Sequence, residues 1–238
     1  MNINQYVNYY GEPDTLRRVS PVRREGTGNL PDLIRKGACF LPYDVGRIYN
    51  GKISVTPLIL DEQQTGWITL FELLERSENT LFVVNSAARS NRGIEANGEN
   101  FSLALQDQSV PYDFVTFWPI NRQLDCVNLL MDYLRVIQCG PVFTIRNNYW
   151  GAPNEFIVYE NMINKAKNKE IAQSRINGVL DFPPLNDLIT LQFYSYGKTI
   201  PEVAGMLNSF KRNVFSTWKN NAYEMFESTG LFDESDSE

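Results

Sequence analysis

The side chains with the clearest chemical options lie in one short stretch near residue 215. Lys211, Arg212, Asn213, Ser216, Lys219 and Asn220 follow one another at spacings that a helix brings to one side. A guanidinium can fork onto the O6 and N7 of guanine, a carboxamide can pair with adenine, and an ammonium can meet a phosphate. On a helix preceded by a tight turn, this is the chemistry of a major-groove reader. The same pattern also fits a small helical bundle with ordinary surface charges.

Catalytic options are fewer. The chain contains no histidine, which removes Ser-His-Asp and Cys-His nucleophile systems and the commonest metal ligand. Cys39, Cys126 and Cys139 are far apart and form no CxxC pair, the pattern of free thiols in a reducing cytoplasm. Neither GxxxxGK[ST] nor a GxGxxG turn after a strand occurs. Asp61 and Glu62 form an acidic pair at a strand end, equally readable as solvated surface. The expectation is a protein that is not an enzyme, with no cofactor and no metal.

The elements that must position these residues can be read from periodicity. Hydrophobic residues make up 43% of the 238 residues and aromatic ones 13%, which is globular composition. Net charge is −6, which opposes indiscriminate coating of nucleic acid. No apolar run is long enough to span a bilayer, and no signal peptide is read at the start, so a cytoplasmic protein without membrane contact is expected. Residues 1–50 read as an irregular extension with a basic arm at 17–28. From 51 to 176 the chain alternates between strands (53–63, 80–87, 112–120, 140–147, 155–161) and helices (66–78, 97–108, 123–138, 162–176). That order predicts an α/β domain with a parallel sheet. The helix at 123–138 has the strongest stripe, from Leu124 through Val127, Leu130, Met131 and Leu134 to Ile137. Residues 177–184, with a Gly and a Pro pair, read as a linker, and 185–229 as a small all-α domain before an acidic tail at 230–238.

In that all-α segment a helix over 185–196 stops at Gly197. Thr199 and Glu202 form a capping box around Pro201. The next helix packs through Val203, Ala204 and Leu207, and Asn208 and Ser209 turn the chain. The last helix is expected to bury Val214, Trp218, Ala222 and Phe226.

The segment resembles the helix-turn-helix of LuxR/FixJ/NarL-type transcription regulators. The family pattern stands here as Asp187, Leu191, Gly197, Lys198, Thr199, Glu202, Val203, Ala204, Leu207, Arg212, Val214 and Asn220 without a gap. Phe210, Thr217 and Asn221 depart from the usual residues. The resemblance implies double-stranded DNA as partner, with Lys198 and Thr199 near phosphates and Lys211, Arg212, Asn213, Ser216, Lys219 and Asn220 on the DNA face. It also implies a homodimer, or a heterodimer with another regulator. Residues 51–176 resemble the receiver domain of such regulators, but Trp118 stands where the phosphate-accepting Asp would end the third strand, and Arg146 ends the next. The implied role is a phosphorylation-independent dimerisation or sensing domain. An alternative is a protein-interaction module or antagonist whose helix-turn-helix binds a partner protein.

Overall fold

A computed structural model describes residues 3–9, 54–76, 81–86, 91–107, 110, 112–195 and 200–232. The basic arm at 17–28, Cys39, Lys198 and Thr199 lie outside the described residues, as does most of the acidic tail. In chain order the elements are β1 (Ile3–Tyr9), β2 (Ser54–Leu58), α1 (Thr65–Glu75), β3 (Leu81–Asn85), α2 (Asn91–Gln106), β4 (Thr116–Ile120), α3 (Leu124–Val136) and β5 (Val142–Asn147). There follow α4 (Ile157–Ile163), α5 (Ala166–Arg175), β6 (Ile176–Phe182), α6 (Asp187–Ser195), α7 (Ile200–Met206) and α8 (Ser209–Glu227). The chain is mixed α/β, and both of its sheets are parallel. Among the described residues no helix is long and apolar enough to cross a membrane.

The chain divides into two compact units. The first comprises Met1–Pro111 and Asp187–Met206, the second Tyr112–Asn186 and Leu207–Glu238. The stretch 185–229, expected as one helix-turn-helix domain, is thus shared: α6 and α7 belong to the first unit and α8 to the second.

The first unit carries a three-stranded sheet of order β2-β1-β3. Its middle strand comes from the segment expected to be irregular, with Tyr6 paired to Val55 and to Val83. Trp67, Leu70 and Leu74 are the buried residues of α1, whereas Ile68, which the helical spacing of Ile68, Phe71 and Leu74 places on the buried stripe, is 55% exposed. Helix α2 starts earlier than expected, at Asn91, and buries Phe101. Phe101 meets Trp67 and Phe71 edge-on, each at 5.5 Å.

The second unit is built on a sheet of order β4-β5-β6. Val142, Phe143, Thr144 and Ile145 of the middle strand are all buried, as a parallel strand covered on both faces requires. Helix α3 behaves as its stripe predicts: Val127, Leu130 and Leu134 are completely buried, and only Leu124 at the helix start is exposed. On that face Tyr133 shares a hydrogen bond with Thr116 and lies against Trp118, and the Tyr159 hydroxyl of α4 donates to Thr144. Pro119 lies inside β4; an outer strand tolerates the missing N–H.

Three expectations are corrected here. Residues 155–161 are not a strand: a helix starts at Ile157, and Phe156, Tyr159 and Met162, spaced by three, are buried together. Residues 177–184 are not a linker, because Ile176–Phe182 form β6, with Gly178 to Phe182 paired to Phe143 to Asn147. The buried stripe of α8 is Phe215, Ala222 and Met225, flanked by half-buried Val214, Trp218 and Phe226. It covers the sheet. Phe117 of β4 meets Phe226 at 5.1 Å, Phe182 of β6 meets Trp218 at 5.7 Å, and the Trp218 indole N–H donates to the Pro183 carbonyl at 2.8 Å.

Candidate functional site

Because β4, β5 and β6 run parallel, their carboxyl ends share one edge. Open parallel sheets bind ligands at such edges, since the loops leaving the strands diverge there. Strand register determines which side chains meet. Arg146 of β5 stands opposite Asp181 of β6. Its Nε and Nη2 donate to the two carboxylate oxygens, each at 2.8 Å, while Glu160 lies 3.7 Å from Nη1. The Arg146 side chain is only 18% exposed, whereas that of Asp181 is 39% exposed, so the two-pronged pair is fixed on its arginine side and open to water on its carboxylate side.

Beyond β5, Asn147 caps a single 3-10 turn over Asn148–Trp150, its carboxamide oxygen accepting from the Tyr149 N–H at 3.1 Å. The turn leaves Tyr149 and Trp150 half in solvent, packed edge to face at 5.1 Å. The Asn148 carboxamide oxygen on the same turn is buried and has no hydrogen-bond donor among the described residues. Such an acceptor costs about 1–3 kcal/mol unless a ligand or water supplies a donor. Gly151 ends the turn at φ 149°, and a Cβ there would lie 2.3 Å from a Glu155 carboxylate oxygen. That closeness lets the loop lie against the 2.6 Å ion pair between Arg122, just after β4, and Glu155. Cys126, also near this edge, has its thiol pushed above its ordinary pKa by burial.

Arg122, Arg146, Asp181, Glu155, Asn148 and Trp150 were not among the residues expected to form a site, although Arg146 was noted as a departure. Their separation in sequence hides them, because Arg146 and Asp181 meet only through strand register. The acidic pair at 61–62 makes local contacts. The Asp61 carboxylate accepts from the Gln63 N–H, its carbonyl accepts from Trp67 and Asn97, and Glu62 lies 3.9 Å from Arg92. Trp118, at the receiver-like acceptor position, donates its indole N–H to the Cys126 carbonyl. Among the described residues no group of three or more His, Cys, Asp or Glu comes together as a metal would require.

The expected DNA-face residues of α8 are placed as follows. Arg212, Asn213, Ser216, Lys219 and Asn220 are exposed, while Lys211 is half-buried. Asn208 caps the helix by accepting the Lys211 N–H at 2.9 Å. Arg212 reaches back to donate to the Leu207 carbonyl at 2.9 Å. The Lys219 ammonium lies 5.7 Å from the centre of the Tyr223 ring. Glu224 and Glu227 are also exposed on this helix, so its two exposed cations, Arg212 and Lys219, are balanced by two carboxylates.

Comparison with known proteins finds Protein MobD of Acidithiobacillus ferrooxidans, 30% identical over 184 residues, an alignment that covers 77% of this chain and 78% of that protein. No protein-family model matches the chain. No solved structure matches it either.

Proposed function

The chain belongs to the MobD protein family, and from that premise we propose that it is a binding protein rather than an enzyme, whose ligand sits at the carboxyl edge of β4-β5-β6. The buried, donor-less Asn148 oxygen on the turn that exposes Tyr149 and Trp150 carries this reading. An acceptor wants an N–H, and an exposed aromatic pair offers a stacking surface. A planar heterocycle with an amino or ring N–H answers both needs, which points to a nucleobase or a nucleotide held through its base. Both arginines of the edge are already matched by carboxylates, so little net positive charge is left to attract phosphate. The test is quenching of Trp150 fluorescence by a panel of nucleosides and nucleotides, read as the difference between the parent and Trp150→Phe. Saturable quenching that Asn148→Ala weakens about tenfold would support the reading. Quenching unchanged by Asn148→Ala, or none by any member of the panel, would refute it.

DNA binding by α8 is a second reading, favoured by the exposed row Asn213, Ser216, Lys219 and Asn220. Under it the protein is a transcription regulator, and the receiver-like α/β part acts without phosphorylation, consistent with an aromatic side chain at position 118. The balanced charge of the helix implies weak contact with a small salt-dependent part for one copy, so a homodimer or a partner regulator would be needed. Selection from random duplex DNA, repeated with Lys219→Ala, decides it. A motif enriched by the parent and lost in the variant supports DNA reading. Enrichment that survives the variant places DNA reading elsewhere than Lys219, and no enrichment favours a partner protein for this helix, where Phe210 and Tyr223 are also exposed.

A further inference from the structure

We infer that the groove between α1 and α2 docks a short basic segment of a partner protein, with one apolar side chain seated between the helices and Lys or Arg on either side of it. The groove has a volume of about 340 Å³, enough for one large side chain. Its floor is aromatic. Trp67 and Phe71 both pack edge-on against Phe101. The floor is also fixed in place: the Trp67 indole N–H donates to the Asp61 carbonyl at 2.9 Å, and the buried Asn97 carboxamide donates to the carbonyls of Asp61, Glu62 and Gly93. A pre-shaped site spends little on ordering when it binds.

The rim specifies the occupant. Ile68 lines the groove yet is 55% exposed, an apolar side chain left for a partner to cover. Glu72 and Glu75 line the α1 side. Glu72 has a long contact of 3.6 Å with Arg76, both largely exposed, and Glu75 has no ion pair among the described residues. The other polar lining groups are the uncharged carboxamides of Gln64, Asn97 and Asn100. Among the described residues no cation lines the groove, while Glu72 and Glu75 both do, so the lining itself carries negative charge. A basic flank is drawn in and an acidic one is repelled. This site is independent of the carboxyl-edge proposal.

The test is selection of displayed random peptides on the full chain, followed by fluorescence anisotropy of synthetic winners on the parent, Ile68→Asp and Glu75→Lys. Both substituted side chains are exposed, so circular dichroism and urea midpoints should match the parent. Winners should pair an aromatic or large aliphatic residue with neighbouring Lys or Arg. Ile68→Asp should weaken them about tenfold and Glu75→Lys about fivefold, and changing a peptide Lys to Glu should recover binding to Glu75→Lys. No enrichment, winners without basic residues, or winners that bind both variants as tightly as the parent would overturn the inference.

Discussion

Replacing Trp218 by Ala tests whether α8 is a structural layer of the α/β unit. In a free-standing helical domain this change would disturb a few helices and leave the sheet alone. Here the indole lies on Phe182, stacks on Phe215 at 5.7 Å and donates to the Pro183 carbonyl. Emptying a fully buried Trp site costs about 3–5 kcal/mol, so a half-buried one should cost about 2. The lost hydrogen bond adds about 1 kcal/mol. The total of about 3 kcal/mol corresponds, at a urea slope of about 2 kcal/mol/M, to a midpoint lowered by about 1.5 M. Trp218→Phe keeps most of the apolar contact and should lose only about 1 kcal/mol. The assay is urea unfolding by circular dichroism together with amide exchange in β5, which reports the sheet itself. Lys219→Ala, next door and exposed, should stay within about 0.5 kcal/mol. If Trp218→Ala also stays within that range, or leaves β5 exchange untouched, α8 does not hold the sheet.

Other expectations follow from the same unit. Arg146→Ala should lower stability by about 2 kcal/mol in thermal unfolding, because it leaves Asp181 and Glu160 without their shared cation; a loss under about 0.5 kcal/mol would mean that the fork is incidental. Burial raises the Tyr133 and Tyr159 phenols above their ordinary range, so the unfolded chain loses these protons first as pH climbs past about 10. The folded state then holds more protons, and stability should fall by up to about 1.4 kcal/mol per pH unit for each tyrosine. Tyr133→Phe should flatten that fall, and an unchanged alkaline slope would count against it. Gly140 has φ 64°, and a Cβ there would lie 1.9 Å from the Phe114 carbonyl oxygen, so Gly140→Ala should cost at least about 2 kcal/mol in urea. The raised, half-buried Cys126 thiol should react with a disulfide reagent at pH 8 more slowly in the folded chain than in urea.

What could be read in the sequence was whatever is encoded locally. Helix α3 shows its apolar stripe because Val127, Leu130, Met131 and Leu134 recur at the helical period. The uninterrupted apolar start of β5 marks a strand covered on both faces. Helix α8 was recognisable as a helix, but its buried stripe was read only in part: Ala222 is buried as expected, while Phe215 and Met225 are buried in place of Val214 and Phe226. The run 177–184 reads as a linker because Gly178 weakens strand propensity and the run ends in a Pro pair. It is a strand because β5 supplies the missing hydrogen-bond partners, which is a tertiary cause. The carboxyl-edge site was not legible for the same reason. Arg146 and Asp181 are individually ordinary, and only the pairing of β5 with β6 makes them a fork. The run 155–161 could have been read correctly, since Phe156, Tyr159 and Met162 repeat every three residues.

The path of the chain between the two units bears on how the protein is made. Both sheets are complete once residue 182 has been synthesised, but each unit still lacks a helical part: α6 and α7 for the first, then α8 for the second. A nascent chain halted at residue 186 would expose the aromatic face that Phe226 and Trp218 later cover. The first unit therefore has all its residues only at position 206 and the second only after α8, so helices rather than sheets set the order in which the two are completed. A cut at residue 185, where a domain boundary reads most naturally, would release no working half; it would leave two unfinished ones.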